Sequence, residues 1–264
     1  MASTQSPRPT VVLFYQQIHK ADERPPTTEN TERSNNDNMD SYTAIVANTT
    51  ANTSKPLKIG YIGLGHAGYP LASTLSRAGY ALVVRDADTS RSQAFASEHA
   101  HATAADPDDP KAFGDVDVLV TMLPNGDIVR EVLLGSSSSE TASEGVAKHL
   151  KEGCVIIDTS SSSPYHTRHT SSLLFRTNPT LTLIDSPITQ AYAFALAKGD
   201  ATLMVGCSSP TALEKAMPVL RTMGRHVFVM GELGAGHAMK TLNNYVSAAS
   251  ICGLCDALVA GEKG

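Results

Sequence analysis

The chain has 264 residues, 41% of them hydrophobic, which is enough for one large domain or two small ones with a sizeable core. Its 21 basic and 26 acidic side chains give a net charge of −5 and form no basic stripe, so nucleic acid and an anionic membrane are not expected as partners. No uninterrupted apolar run approaches the roughly 20 residues that span a bilayer, which predicts a soluble protein.

The four cysteines are too few and too scattered for a disulfide framework. Cys252 and Cys255 form a C-x-x-C pair, but no second pair completes a zinc site, so no metal site is expected. Both lie in an alanine-rich helical pattern, where cysteine packs as a small apolar residue. We therefore expect two buried thiols, with redox or metal chemistry as the alternative.

The first 56 residues differ from the rest of the chain. They are polar, contain proline and lack periodicity, which predicts a disordered N-terminal extension over residues 1–56. The first 20 residues lack acids, which suggests an organelle presequence, but the acids that follow and the shortage of arginine oppose it. We expect a cytoplasmic protein, with the mitochondrial matrix as the alternative. Met39 is an equally plausible true start.

From Lys58 onward, short apolar runs alternate with helical stretches. This alternation predicts a parallel or mixed sheet over residues 57–232, covered by helices on both faces. A helix is expected from about Gly234, and residues 233–264 form the last predicted segment. The low-complexity stretch "GSSSSE" at 135–140 predicts a surface loop. The expected strands are "KIGYIG", "ALVVRD", "VDVLVTML", "CVIIDTS", "LTLIDSP", "ATLMVG" and "HVFVMG".

A glycine-rich loop follows the first predicted strand and opens a predicted helix. Gly63 permits the tight turn, Gly65 lets a pyrophosphate approach the backbone, and Gly68 lets the helix pack on the strand. Free N–H groups and the helix dipole favour phosphate at this point. The expected α/β fold is therefore a Rossmann-type doubly wound sheet. The expected cofactor-binding residues of the loop are Gly63, Leu64, Gly65, His66, Ala67 and Gly68.

An acidic residue ends the second predicted strand, about 20 residues after the loop. Asp86 can accept both ribose hydroxyls of an adenosine, and it would repel a 2′-phosphate. NAD is therefore expected as cofactor, and NADP is less favoured. The alternative comes from Arg85 and Arg91, which flank Asp86 and could hold a phosphate.

These motifs, in this order, resemble the β-hydroxyacid dehydrogenases, the family of 3-hydroxyisobutyrate dehydrogenase, and more distantly 6-phosphogluconate dehydrogenase. The resemblance covers about Lys58 to the C-terminus and rests on "GLGHAGYPLASTLSRAGY", "VTMLPNGDIVREVL", "VIIDTSSSSP", "LIDSPITQAYAFALAKGDATLMVG" and "GAGHAMKTLNNY". It implies a soluble enzyme that transfers a hydride between NAD and a 3-hydroxy acid or related small carboxylated alcohol.

The resemblance also implies site residues. Met122, Leu123 and Pro124 would line the cofactor, and Ser160 would help hold the substrate carboxylate.

At the end of the chain, Lys240 would be the catalytic lysine, with Asn244 as its amide partner and Asn243 as the alternative. Oxidising an alcohol requires a base for the hydroxyl proton, and a partly desolvated lysine has a lowered pKa suited to this task. His237, close by, is expected to cap or pack.

Two departures from the family pattern stand out. The substrate loop usually reads D-A-P-V-S-G-G, whereas here it reads "DSPITQA". Thr189 preserves a hydroxyl, but Gln190 and Ala191 replace two glycines, which predicts an altered substrate or weak turnover. The family also continues into an all-helical domain that closes the site and makes the dimer, so a truncated chain is expected, and a homo-oligomer if that domain exists. Alternatives are a non-catalytic nucleotide-binding protein and a ketone or imine reductase.

Overall fold

A computed structural model of the chain describes residues 57–136, 143–189 and 196–263. All seven predicted strands are present. The apolar runs of six of them are largely buried, whereas the last strand, Gly224–Gly231, is half-exposed or exposed beyond its first residue. The predicted N-terminal extension and Gln190 lie outside the described residues. The strands are β1 (Lys58–Ile62), β2 (Ala81–Arg85), β3 (Ala102–Ala104), β4 (Val118–Thr121), β5 (Gly135–Ser136), β6 (Ser143–Glu144), β7 (Val155–Asp158), β8 (Thr182–Asp185), β9 (Ile188–Thr189), β10 (Ala201–Gly206) and β11 (Gly224–Gly231).

Six α-helices connect or follow these strands within the described part of the chain, besides two short 3₁₀ helices at Pro110–Phe113 and Val146–Lys148. Two of the α-helices begin at side-chain caps that are visible in the sequence: Asp88 accepts from the amide of Ser90 at 3.1 Å, and Asn125 accepts from that of Ile128 at 3.0 Å. The helices are α1 (Gly68–Arg77), α2 (Thr89–Glu98), α3 (Gly126–Leu134), α4 (Pro164–Thr177), α5 (Pro210–Met223) and α6 (Ala235–Lys263).

The main sheet runs in the order β11-β10-β8-β7-β4-β1-β2-β3. Its parallel part, from β3 to β8, has the strand order of a doubly wound dinucleotide-binding fold, which confirms the predicted fold class. β10 is antiparallel to β8 and parallel to β11, so the sheet is mixed at this edge. The strand order reverses between β1 and β4, and ligands bind such folds at the carboxyl ends of the strands at that point.

Alternate side chains of the central strands enter two separate cores. Ile59 and Tyr61 of β1 pack on one face, in the core that also contains buried residues of α1, α2 and α5. Leu119 of β4 and Ile156 of β7 pack on the opposite face, in the core that also contains buried residues of α3 and α4. Helices therefore cover both faces, as the continuous apolar runs of a parallel sheet require.

The hairpin formed by β5 and β6 occupies part of the segment predicted as a surface loop. Gly135 pairs with Glu144 and Ser136 pairs with Ser143 in antiparallel register. The prediction therefore missed a short strand at its first two residues. The remainder of "GSSSSE" lies outside the described residues.

The final helix, α6, is packed at its start and exposed over the rest of its length. Every described residue from Asn244 to Glu262 is exposed, including Tyr245, Ile251 and Leu258. By length and composition, Ala235–Glu262 could cross a membrane, with a mean hydropathy of 1.2. The sequence predicts this helix, but it does not predict a helix long and apolar enough to cross a membrane, because polar residues interrupt its apolar runs. Helices apolar on several sides are typical of larger cores as well as of membrane spans.

The prediction for the C-x-x-C pair was wrong. Cys252 and Cys255 are exposed on α6, whereas Cys154 and Cys207 are buried. A helical pattern shows which residues share a face, but it does not show whether another element covers that face. Among the described residues, no group of three or more His, Cys, Asp and Glu side chains could hold a metal ion.

Candidate functional site

The glycine loop connects β1 to α1 and is tightly packed at two of its three glycines. Gly63 has φ of +103°, and a Cβ atom there would overlap the carbonyl oxygen of Met122. A Cβ atom on Gly68 would overlap the carbonyl oxygen of Gly63, so α1 begins directly against the turn. A Cβ atom on Gly65, in contrast, would have no heavy atom within 4 Å apart from those of the adjoining residues. The loop is therefore packed against other main-chain atoms at Gly63 and Gly68, and it leaves open space at Gly65.

Asp86, at the end of β2, is attached to this loop. Its Oδ2 accepts a hydrogen bond from the amide of Leu64 at 2.6 Å, and its Oδ1 accepts one from the amide of Asp88 at 2.9 Å. Arg91 Nη1 lies 3.7 Å from Oδ1. The carboxylate is thus fixed in orientation beside the glycine loop, where an acid recognises ribose in such folds.

A cavity of about 540 Å³ lies over the loop, within the size range of small-molecule sites. Nine of the ten residues predicted to bind cofactor line it. The tenth, Leu64, is buried in the core and contributes its amide to Asp86. The cavity is also lined by residues that were not predicted, among them Pro107, Ile128 and Val132, because they belong to no recognisable sequence motif. The predicted residues that line the cavity are Gly63, Gly65, His66, Ala67, Gly68, Asp86, Met122, Leu123 and Pro124.

Ser160 lies just beyond β7 and contacts one wall of this cavity. Its Oγ accepts a hydrogen bond from the amide of Leu123 at 2.8 Å, and its own amide donates to Asp158 Oδ1 at 3.0 Å. Only 1% of Ser160 is exposed. One function of its hydroxyl is therefore to fix the segment after β4.

A buried carboxylate and imidazole hold the beginning of α6. Asp185, at the end of β8, accepts hydrogen bonds from the amides of Gly234 at 2.6 Å and His237 at 2.8 Å. His237 Nε2 lies 3.0 Å from the carbonyl oxygen of Ser160, and Nδ1 lies 2.7 Å from Thr167 Oγ1. Asp185 and His237 are fully buried, and burial raises the pKa of the Asp185 carboxyl.

This arrangement agrees with the expectation that His237 packs, but sequence analysis gave no role to Asp185 or Thr167. The sequence does show an acid at the end of a buried strand, and such an acid can accept hydrogen bonds from the free amides at a helix start. The sequence near Asp185 does not show which helix it binds, because Asp185 and His237 are 52 positions apart.

Lys240 lies one turn after His237 on α6 and is half-buried. Burial lowers the pKa of its ammonium group below that of an ordinary lysine. Asn243 is also partly buried, whereas Asn244 is exposed. Lys240 does not line the cavity itself; it is connected to Leu123 in the cavity wall through α6, His237 and Ser160.

Of the predicted substrate residues, Thr189 is half-buried on β9 and pairs with Thr202 of β10. Gln190 lies outside the described residues. The structure therefore brings the loop, Asp86 and the Met122–Pro124 segment together around one cavity, and it joins Ser160 to the lysine helix.

Comparison with known proteins gives the family. Residues 58–231 match the family described as the NAD binding domain of 6-phosphogluconate dehydrogenase. The 2-(hydroxymethyl)glutarate dehydrogenase of Eubacterium barkeri is 33% identical over 209 residues, which cover 79% of this chain and 65% of that protein. The NAD-dependent L-serine dehydrogenase of Pseudomonas aeruginosa is 32% identical over 204 residues, covering 77% and 64% of the two chains.

A solved structure is similar over the same region. The 3-hydroxyisobutyrate dehydrogenase of Mycobacterium tuberculosis, in a structure with L-serine, superposes with a TM-score of 0.68 at 26% identity. The match covers 79% of this chain and 66% of the other. The chain thus spans slightly less than two thirds of the length of these relatives.

Proposed function

Because this chain belongs to the β-hydroxyacid dehydrogenase family, we propose that it is an oxidoreductase that transfers a hydride between NAD and a small 3-hydroxy acid or related carboxylated alcohol. One observation carries the proposal. Ser160 contacts both Leu123 of the cavity wall and His237 of the helix that bears Lys240, so a nucleotide cleft and a desolvated lysine belong to one connected structure.

The residues present fit NAD. The open space at Gly65 admits a pyrophosphate to the backbone, and the start of α1 supplies amides and a favourable helix dipole. Asp86 is oriented to accept ribose hydroxyls. When bound, NAD supplies the hydride acceptor of the oxidation or the hydride donor of the reduction.

Lys240 holds or moves the second hydrogen of the reaction, the hydroxyl proton. In the oxidation, the neutral amine accepts this proton from the substrate oxygen as the carbonyl forms; in the reduction, the ammonium group returns it. Burial favours the neutral amine by lowering the pKa of Lys240. Asn243 or Asn244 on the next turn would donate to the substrate, and Ser160 would help hold its carboxylate.

The substrate class follows from the same residues and from the relatives. The named relatives act on 2-(hydroxymethyl)glutarate and L-serine, which are both carboxylated alcohols. We propose that Thr189 and Gln190 contact the substrate, and that the presence of Gln190 where the family usually has glycine changes the substrate or weakens turnover.

The proposal is tested by titrating the full chain with NAD and NADP and by following the absorbance of reduced cofactor over a panel of 3-hydroxy acids. We expect NAD to bind more tightly than NADP and at least one small acid to be oxidised. NAD binding without turnover on any acid would contradict the proposed enzymatic activity and would favour the alternative of a non-catalytic nucleotide-binding protein.

Replacing Asp86 by asparagine is expected to reduce the preference for NAD over NADP by about tenfold, roughly 1.4 kcal/mol. The substitution keeps the shape of the side chain but removes the charge that repels a 2′-phosphate, next to Arg91. The measurement is the ratio of the two dissociation constants. Asp127→Asn removes an exposed carboxylate from α3 and is the matched control; an equal change in both variants would exclude a local role for Asp86.

We also propose a cytoplasmic homo-oligomer. The exposed apolar residues of α6, such as Tyr245, Ile251 and Leu258, favour association because patches of this kind are rarely left in contact with water. Light scattering of the purified chain tests this: a monomer at micromolar concentration would contradict it.

A further inference from the structure

We propose that His237 is a positioning residue, which sets the location of Lys240 relative to Ser160 through its two ring nitrogens and its backbone amide. This inference rests on the proposed function of Lys240. Among the described histidines, His237 alone is fully buried, and the proposed reaction gives its imidazole no part in the proton transfer.

The hydrogen-bond partners fix one proton of the ring. A carbonyl oxygen only accepts hydrogen bonds, so Nε2 must carry the proton that it donates to the Ser160 carbonyl at 3.0 Å. At Nδ1, Thr167 Oγ1 lies 2.7 Å away and can donate or accept. Both edges of the ring are therefore occupied, and the ring cannot rotate without breaking a buried hydrogen bond.

Asp185 restrains the same residue from the backbone side. Its Oδ2 accepts the amide hydrogen of His237 at 2.8 Å and lies 3.6 Å from Nδ1, while its Oδ1 accepts the amide hydrogen of Gly234 at 2.6 Å. A carboxylate at these amides satisfies donors that a helix start leaves without partners. The first turn of α6 is thus held by three different elements: β8, α4 and the segment after β7.

The contacts of His237 connect the nucleotide cavity with Lys240. On one side, Ser160 accepts from the amide of Leu123, which lines the cavity. On the other side, Lys240 follows His237 by one helical turn, and Thr241 Oγ1 donates to the His237 carbonyl oxygen at 2.9 Å. A change at residue 237 would therefore move the lysine relative to the Ser160 segment without touching the glycine loop.

The main chain next to the imidazole is also closely packed. Gly236, directly before it, has a main chain so close to β10 that a Cβ atom would overlap the carbonyl oxygen of Met204. Gly234, with φ of +92°, makes the turn into the helix. The main chain therefore contacts β10 on one side of the turn, and the two hydrogen bonds of the His237 ring hold the other side against α4 and the segment after β7.

The test compares His237→Gln with His237→Leu. Glutamine carries an N–H group that can donate to the Ser160 carbonyl, whereas leucine fills similar space without a donor. His101→Gln and His101→Leu, at an exposed histidine, are the matched controls. We expect His237→Leu to lower kcat about 100-fold, the scale of a displacement of about 1 Å at a catalytic group. The dissociation constant for NAD should stay within about twofold, and His237→Gln should recover most of the loss.

A second readout does not require turnover. The pH dependence with which the Lys240 amine reacts with an acylating reagent, followed by mass spectrometry, reports the environment of that amine. We expect the midpoint in the wild type to lie below that of an ordinary lysine, to move up in His237→Leu, and to remain near the wild-type value in His237→Gln.

The outcomes separate cleanly. An unchanged Lys240 midpoint in His237→Leu, or glutamine no better than leucine in both readouts, would overturn the proposal. If no acid is turned over by the wild type, the proposed function fails while the acylation midpoint still decides the role of His237. If His237→Leu does not fold, Thr167→Val replaces it, and an unchanged Lys240 midpoint in that variant overturns the proposal.

Discussion

Replacing Lys240 by alanine is expected to lower kcat for alcohol oxidation by about 10²- to 10⁴-fold, the usual contribution of a general acid or base. The dissociation constant for NAD should not change, because Lys240 does not line the cavity at the glycine loop. The measurement is the rate of cofactor reduction at saturating NAD, together with an independent NAD titration. Lys111→Ala, at an exposed lysine, is the control.

The pH dependence of the rate shows whether Lys240 acts as a base or as an acid in each direction of the reaction. Oxidation requires the neutral amine, so kcat/KM in that direction should rise with pH through the pKa of Lys240 and level off above it. Because burial lowers this pKa, the rise should lie below the range of an ordinary lysine. In the direction of reduction, which requires the ammonium group, the rate should fall over the same range. Lys240→Arg, which stays protonated, should be inactive as a base; a pH profile identical to the wild type in that variant would exclude Lys240.

Replacing Gly65 by valine is expected to weaken NAD binding by about 100-fold or more, roughly 2.7 kcal/mol, without destabilising the fold. The side chain would occupy the open space where the pyrophosphate must approach the backbone. Apart from the adjoining residues of the chain, no protein atom lies within 4 Å of the added Cβ, so thermal unfolding should be unchanged. The measurement is the NAD dissociation constant together with the melting temperature.

Gly253→Val is the control for Gly65→Val, since a Cβ atom at Gly253 also meets nothing within 4 Å but lies on the exposed part of α6. It should bind NAD as the wild type does. If Gly65→Val binds NAD normally, the pyrophosphate does not contact this loop, and the assignment of the cavity is wrong.

The glycine loop was predictable from the sequence because each glycine answers a local requirement. Gly63 needs a positive φ, and Gly68 lies against the carbonyl oxygen of Gly63, a few positions earlier in the same loop. The central strands were predictable for a similar reason: a strand buried on both faces must be apolar along its whole length.

The contacts at the start of α6 could not be predicted in the same way. Asp185 caps this helix only because β10 and β11 return the chain to the end of β8, and a pattern in one segment does not contain that path. The prediction for Cys252 and Cys255 failed for a related reason. Their helix was predicted correctly, but burial requires a covering element, and α6 packs only at its first turns in the described part of the chain.

We propose above all that the cavity at the glycine loop and the lysine of α6 act as two parts of a single hydride-transfer site. The most direct test measures NAD affinity and turnover side by side in Gly65→Val and Lys240→Ala, with the small 3-hydroxy acid that the wild type oxidises fastest. We expect Gly65→Val to lose NAD affinity, and Lys240→Ala to lose kcat while it binds NAD as the wild type does. Turnover that survives in Lys240→Ala, or NAD affinity that falls equally in both variants, would contradict the claim.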